Sequence, residues 1–401
     1  CGSDGEKPYC ARVLDLTGFF LEGYNEIMTK KTLPPPEWVA SKTALSKMTD
    51  ALARESRIAI DTESNSLHAY QEQVCLIQFS TPSQDYLLDP LALPDLSILA
   101  PLFENPEIEK IFHAAEYDLI CLKRDFDFNF INLFDTMIAA RILGYKKFGL
   151  GNILELKFRE KVNKKFQKAD WGKRPLTKEM LNYARLDTHY LIELRDIFKL
   201  KLEKNAHWSL AQEDFEMAAT LAGLNDRKPL PVWERVDGRA KLDPRQATVL
   251  NEVCLAREQL AAKLNRPVFK IIGNKSLIKL AETQPRNRRD MEIEGFSPKQ
   301  IGGFGNAFIA AVKRGLHADL VKRTSSPRPS DAFMFRFEKL RNWRKEKAQK
   351  IGVESDIVMP RFLIEVVAKE NPSNLDELAI VLAKSPWRLN EYGEEILNVT
   401  H

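Results

Sequence analysis

The feature that most restricts this chain is a short apolar run, Ile58-Ala59-Ile60, ending in Asp61-Thr62-Glu63-Ser64. Alternation along a strand sends Ile58 and Ile60 to one face, and Asp61 and Glu63 together to the other. Two like charges then share one surface, which is costly unless water or a cation lies between them. Taken alone, the pattern also fits a strand end with solvated acids. The rest of the chain has to decide.

At 401 residues the chain exceeds what one core usually supports, so two or three domains are expected. A hydrophobic content of 44% with 29% charged residues belongs to soluble globular protein. No apolar run approaches the roughly 18 to 20 residues of a membrane helix. The five cysteines are scattered and form no CxxC pair, which speaks against a zinc site or a disulfide framework and fits a reducing cytoplasm.

The net charge of +4 is unevenly spread. Residues 226–323 hold 20 Lys and Arg against 11 Asp and Glu, a balance of +9 that marks this part as an electrostatic footprint for a polyanion. Residues 1–225 balance at −5, with 28 basic against 33 acidic residues. Inside that acidic part, Arg141 to Arg174 carry 11 basic residues against three acids.

Residues 1–36 form a lead-in ending in Leu33-Pro34-Pro35-Pro36, and a helix is expected near Ser41–Glu55. Strand-like runs at Arg57–Thr62, Val74–Ser80 and Asp85–Leu88 lie close enough for an antiparallel meander. A helix at Leu96–Glu104, a strand at Glu109–His113, a helix at Ala115–Arg124 and a strand at Ile131–Asp135 then alternate. The expectation is a mixed α/β sheet flanked by helices. A helix from Thr177 to about Lys204 closes this first domain, over 37–222. Pro229-Leu230-Pro231 marks a linker.

Two small all-α units follow, at 232–322 and 331–401, separated by the linker Arg323–Ser330. In the first, Asp243-Pro244 reads as an N-cap followed by proline at the helix start, with Val249, Val253 and Leu260 inward. Leu255-Ala256-Arg257-Glu258 and Asn342-Trp343-Arg344-Lys345-Glu346 are faintly alike, so two copies of one domain is the economical reading.

Two further acids complete the pattern. Asp118 lies just beyond the strand Glu109–His113, and Asp187 lies four residues after Tyr183. That spacing puts a phenol and a carboxylate on one helical face, about 6 Å apart along the axis. The order Asp-x-Glu, Asp, Tyr-x-x-x-Asp resembles the DEDD exonuclease superfamily in its tyrosine-bearing branch. His113-Ala114, Leu133-Phe134-Asp135-Thr136, Asp170-Trp171 and Arg174-Pro175-Leu176 are similar to the ribonuclease D family, and the helical units resemble HRDC domains.

That resemblance implies an RNase H-like exonuclease domain, two HRDC-like domains and two divalent cations. Asp61 would bridge both cations, Glu63 and Asp187 would complete one, and Asp118 would hold the other through water. Oxygen-only carboxylate ligands suit Mg²⁺ or Mn²⁺. Tyr183 would orient the attacking water or help deprotonate it. The implied activity is 3′→5′ trimming of RNA such as tRNA precursors, by a cytoplasmic monomer without a membrane partner. A 3′→5′ DNA exonuclease and a catalytically silent RNA-binding module are the competing expectations.

Around this set, Lys164, Lys165, Lys168, Lys173 and Arg174 are candidate phosphate contacts. Trp171 could stack on a base or anchor its loop. His113 and Asp135 are candidates for supporting positions behind the ligands, with His113 as an additional general base or a structural hydrogen-bonding residue.

Overall fold

The computed structural model describes residues 34–93, 95–221, 230–324 and 328–401. Most of the lead-in, residues 1–33, lies outside them. A six-stranded sheet forms the centre of the first domain, in the order β1-β4-β3-β2-β5-β6. Its strands are β1 (Glu37–Val39), β2 (Arg57–Ser64), β3 (Val74–Ser80), β4 (Asp85–Leu88), β5 (Glu109–Phe112) and β6 (Leu133–Asp135).

The expected meander is present: β2, β3 and β4 pair antiparallel, while β5 runs parallel to β2, and β6 runs parallel to β5. The strand β1, which sequence reasoning missed, runs parallel to β4 at the sheet edge. Three residues are too few to display a period, and the pairing partner lies almost 50 positions away in sequence. Every residue of β3 and β4 is buried, because helices cover both faces of the sheet.

The expected helix from Thr177 to Lys204 is two helices, Lys178–His189 and Leu191–Lys204, with Tyr190 between them. The first packs on β2, β3 and β4, and the second on β2 and β5. Both bury the same side of the sequence pattern, so periodicity alone reads them as one element. Thr177 caps the first by accepting from the Met180 N–H at 3.3 Å.

Beyond the linker come two helical bundles built alike. The first has a long helix Pro244–Leu264, a four-residue helix Val268–Ile271, then Asn274–Thr283, Arg288–Ile293 and Pro298–His317. The second repeats this as Asp331–Ile351, Ser355–Val358, Arg361–Glu370, Leu375–Val381 and Pro386–Thr400. One interaction recurs in both. Arg257 donates to the Ile272 carbonyl at 3.4 Å, and Arg344 donates to the Met359 carbonyl at 2.9 Å, each bond tying the long helix to the end of the short one. In the first bundle the outer helices touch at Gly315, where a Cβ would stand 2.6 Å from the Val249 Cα. Only glycine fits there.

The two bundles attach differently. Arg388 of the second is wholly buried and bonds Glu213 and Asp214 of the helix Trp208–Leu221, which packs on the first domain, together with the carbonyls of Ile357 and Val358. The first bundle meets the hairpin between β2 and β3, where Tyr70 donates its hydroxyl to Glu258 at 3.0 Å and its N–H to Asn265 at 3.1 Å.

Candidate active site

Strand β2 carries Asp61 and Glu63 on one face, opposite Gln78 and Leu76 of β3. A register shift between Glu63 and Ser64 bends the strand where the second acid leaves it. Asp118 sits in the first turn of the helix Glu116–Phe126 and is buried. Its Oδ1 accepts the Thr62 N–H at 3.1 Å and the Thr62 hydroxyl as well, which joins the second acidic element directly to β2. Asp187 and Tyr183 come from the helix Lys178–His189, which lies across β2.

These four carboxylates, assembled from three elements, feel one another's charge. Burial lifts Asp61 well above the usual carboxylate range, and the charges of Asp118, Asp187 and Glu63 lift it further. Glu63 is raised by burial and then by Asp187 and Asp118. Asp118 is pushed up to about 7 by burial, against the opposing pull of the Thr62 bonds. Asp187 is pushed up to about 8 by burial and by Asp118. Four acids cannot all ionise in such a place without a counter-charge.

As the side chains stand, no three carboxylate, imidazole or thiol groups among the described residues close on a single point. The donor chemistry nonetheless fits hard divalent cations: oxygen donors only, mutually repelling, with Asp118 buried and Asp61, Glu63 and Asp187 half-buried.

Tyr183 is buried beside them. Its ring lies 6.1 Å from that of Trp171 and 5.8 Å from that of Phe166. Burial, followed by the charges of Asp187, Glu63 and Asp61, raises the phenol far above its ordinary range, against a hydrogen bond with Gln167. Both effects favour the neutral phenol, the form able to donate a hydrogen bond.

The supporting candidates divide. Asp135 accepts four backbone N–H groups: those of Ala114 at 3.1 Å, Ala115 at 2.8 Å, Met137 at 2.7 Å and Ile138 at 3.1 Å. It thereby holds Ala114 in the left-handed region, at φ 67°, immediately before the helix that carries Asp118. Burial holds the His113 imidazole down at about 4. Because the Thr136 hydroxyl already donates to the Phe112 carbonyl, His113 Nδ1 donates to Thr136 at 2.9 Å. The Nδ1 of His113 is thus committed to Thr136, a hydrogen bond that ties the end of β5 to the start of the helix Thr136–Ile142.

The basic candidates divide as well. Lys164, Lys165 and Lys168 are exposed on a short 3₁₀ turn, Lys164–Lys168. The hairpin after β2 anchors that turn, with His68 Nε2 donating to the Lys168 carbonyl at 3.0 Å. Lys173 is 80% exposed and only loosely paired, 3.8 Å from Asp170. Arg174 is committed to the fold. It forms a two-pronged pair with Asp89 at 2.7 and 2.8 Å and donates to the carbonyls of Cys75, Trp171 and Lys173. Trp171 is 1% exposed, so it is a wall behind Tyr183 and not a free stacking platform. Sequence reasoning missed Thr62, which stands between the two acids, because alternation points its side chain away from them.

Comparison with known proteins now identifies the class. Residues 36–203 match the 3′-5′ exonuclease family, and residues 246–312 and 335–400 each match the HRDC domain. The chain thus carries a 3′-5′ exonuclease domain followed by two HRDC domains. Along nearly its whole length it is similar to ribonuclease D: it is 26% identical over 373 residues to ribonuclease D of Pseudomonas paraeruginosa, covering 92% of this chain and 98% of that one. The Escherichia coli RNase D structure superposes with a TM-score of 0.67 over 91% of this chain and 98% of that one, at 21% identity, a likeness of fold. RRP6-like 3 of Arabidopsis thaliana is 40% identical over 178 residues, 44% of this chain. The chain spans only 19% of that plant relative's length. Among the described residues no helix is long and apolar enough to cross a membrane.

Proposed function

We propose that this protein is a metal-dependent 3′→5′ exoribonuclease that trims the 3′ ends of structured RNA, tRNA precursors among them, and releases nucleoside 5′-monophosphates. One observation carries the reading: Asp61, Glu63, Asp118 and Asp187 are gathered from three elements at a large electrostatic cost, with the Tyr183 hydroxyl beside them. The names of the similar ribonuclease D proteins support RNA as the substrate class.

The four carboxylates would hold two divalent cations, Mg²⁺ or Mn²⁺. Bound there, such a pair supplies an ionised water on one side of the scissile phosphate and charge stabilisation on the other. Tyr183, kept protonated, would hold the attacking water by donation. Asp135 and Thr62 keep Asp118 in place, through the Ala114–Ala115 backbone and through direct bonds respectively. Lys164, Lys165, Lys168 and Lys173 would draw the phosphates in. The working units would be the exonuclease domain over 37–222 and the HRDC-like domains over 232–322 and 331–401, in a cytoplasmic monomer.

The test compares 3′-extended tRNA precursor with single-stranded DNA of matched sequence, in Mg²⁺, in Mn²⁺ and in EDTA. Stepwise release of 5′-monophosphates from the RNA, abolished by EDTA and by Asp61→Asn, is expected. Faster turnover of the DNA would move the assignment to a repair-type exonuclease. Binding without turnover in either metal would leave an RNA-binding module.

A further inference from the structure

Gln78 lies in the middle of β3 and is 0% exposed. Neither its Oε1 nor its Nε2 has a hydrogen-bond partner among the described residues. A buried amide with both ends unpaired destabilises the fold that contains it. Leucine or methionine would fill the same space without that cost.

Its place in the sheet gives the amide a use. In the β2–β3 ladder Gln78 is the register partner of Asp61, as Leu76 is of Glu63. Directly opposed residues project from the same face with Cβ atoms about 4.5 to 5.5 Å apart. On its other side Gln78 pairs with Leu87 of β4, and Leu76, Leu87, Tyr183 and Ala184 share one apolar cluster. The amide is therefore enclosed between β2, β4 and the helix that carries Tyr183 and Asp187, beside the carboxylate that faces all the other acids.

We infer that Gln78 is a positioning residue of the cation site: its Nε2–H is the donor that fixes the orientation of the Asp61 carboxylate when cations are bound. This rests on the two-cation reading above. Thr62 already serves Asp118 in the same manner, with two donors on one carboxylate oxygen. Such outer partners of a ligating carboxylate typically change metal affinity by roughly 10- to 100-fold when removed.

The experiment uses the full chain without nucleic acid. Mn²⁺ binding is followed by electron paramagnetic resonance for the parent, Gln78→Met and Gln78→Leu, and Tm is measured for each with and without Mn²⁺. Both variants should bind Mn²⁺ at least about tenfold more weakly, and their metal-free Tm should match or exceed the parent's because the stranded amide is gone. Gln78→Met is unbranched and close in volume, so it keeps the test intact should Gln78→Leu misfold.

Affinity within twofold of the parent in a folded variant would overturn the inference while leaving the cation reading in place. A lower metal-free Tm in both variants would overturn it too, by making the amide a prop of the fold. A parent that takes up no Mn²⁺ would overturn the cation reading and the inference together.

Discussion

Thr62 and Asp118 are joined twice, since the threonine N–H and hydroxyl both donate to one carboxylate oxygen. That pair locks the acid of the helix Glu116–Phe126 onto the strand that bears Asp61 and Glu63. Thr62→Val keeps the shape and removes one donor, at a cost of about 1.5 to 3 kcal/mol for a hydrogen bond to a charged group. The Asp118 pKa should rise further, so the acid limb of the pH–rate profile should move to higher pH, with kcat reduced roughly tenfold near pH 7. Superimposable profiles for variant and parent would show that the bond does not govern the site.

Metal-free protein should lose stability as pH rises from about 5 to 8. Asp118 and Asp187 stand at about 7 and about 8 in the fold, against about 3.9 for an unfolded aspartate. The native state therefore binds more protons than the unfolded state across that window, and its stability is lost as pH passes through the folded values. Melting curves in EDTA should show Tm falling with pH, and less steeply in Asp187→Asn. Added Mg²⁺ should raise Tm more at pH 8 than at pH 5.5.

Tyr183→Phe keeps the ring between Trp171 and Phe166 and removes only the hydroxyl. A loss of roughly 10²- to 10³-fold in kcat, or about 3 to 4 kcal/mol, is the scale for one positioned polar group acting on the transition state. Mn²⁺ affinity should stay near the parent's. A kcat within threefold of the parent would return Tyr183 to a packing role.

Arg388→Met should be severely destabilising, because Glu213 and Asp214 would remain buried without their partner. Breaking one side of a buried ion pair costs about 3 to 5 kcal/mol. Denaturant melts would detect this as a lower midpoint. Cutting the chain after residue 222 removes the same guanidinium, so such a truncation perturbs the exonuclease domain as well as removing the bundles.

Replacing Lys164, Lys165 and Lys168 with Gln should weaken RNA binding and flatten its dependence on salt. The log–log slope should fall by up to about 0.7 for each phosphate of a single strand that is no longer neutralised. Tm should hardly move. Arg174→Gln should do the opposite, lowering Tm while leaving the salt slope unchanged, because its guanidinium is bound to Asp89 and to backbone carbonyls.

The sequence by itself determined the local elements whose signals lie within a few residues. The meander showed in the closely spaced strand-like runs Arg57–Thr62, Val74–Ser80 and Asp85–Leu88, and the shared helical face of Tyr183 and Asp187 showed in a spacing of four. The order of the acids, read as a resemblance, supplied the rest of the acidic set. Only the tertiary structure decided what depends on partners distant in sequence. Arg174 reads as a free cation in the sequence, yet its partner Asp89 lies 85 positions away, and Trp171 reads as available, yet the Tyr183 helix covers it. Gln78 reads as an ordinary strand residue until the ladder sets it against Asp61. Charge and residue type are written locally, but burial, pairing and pKa are properties of the assembled surroundings.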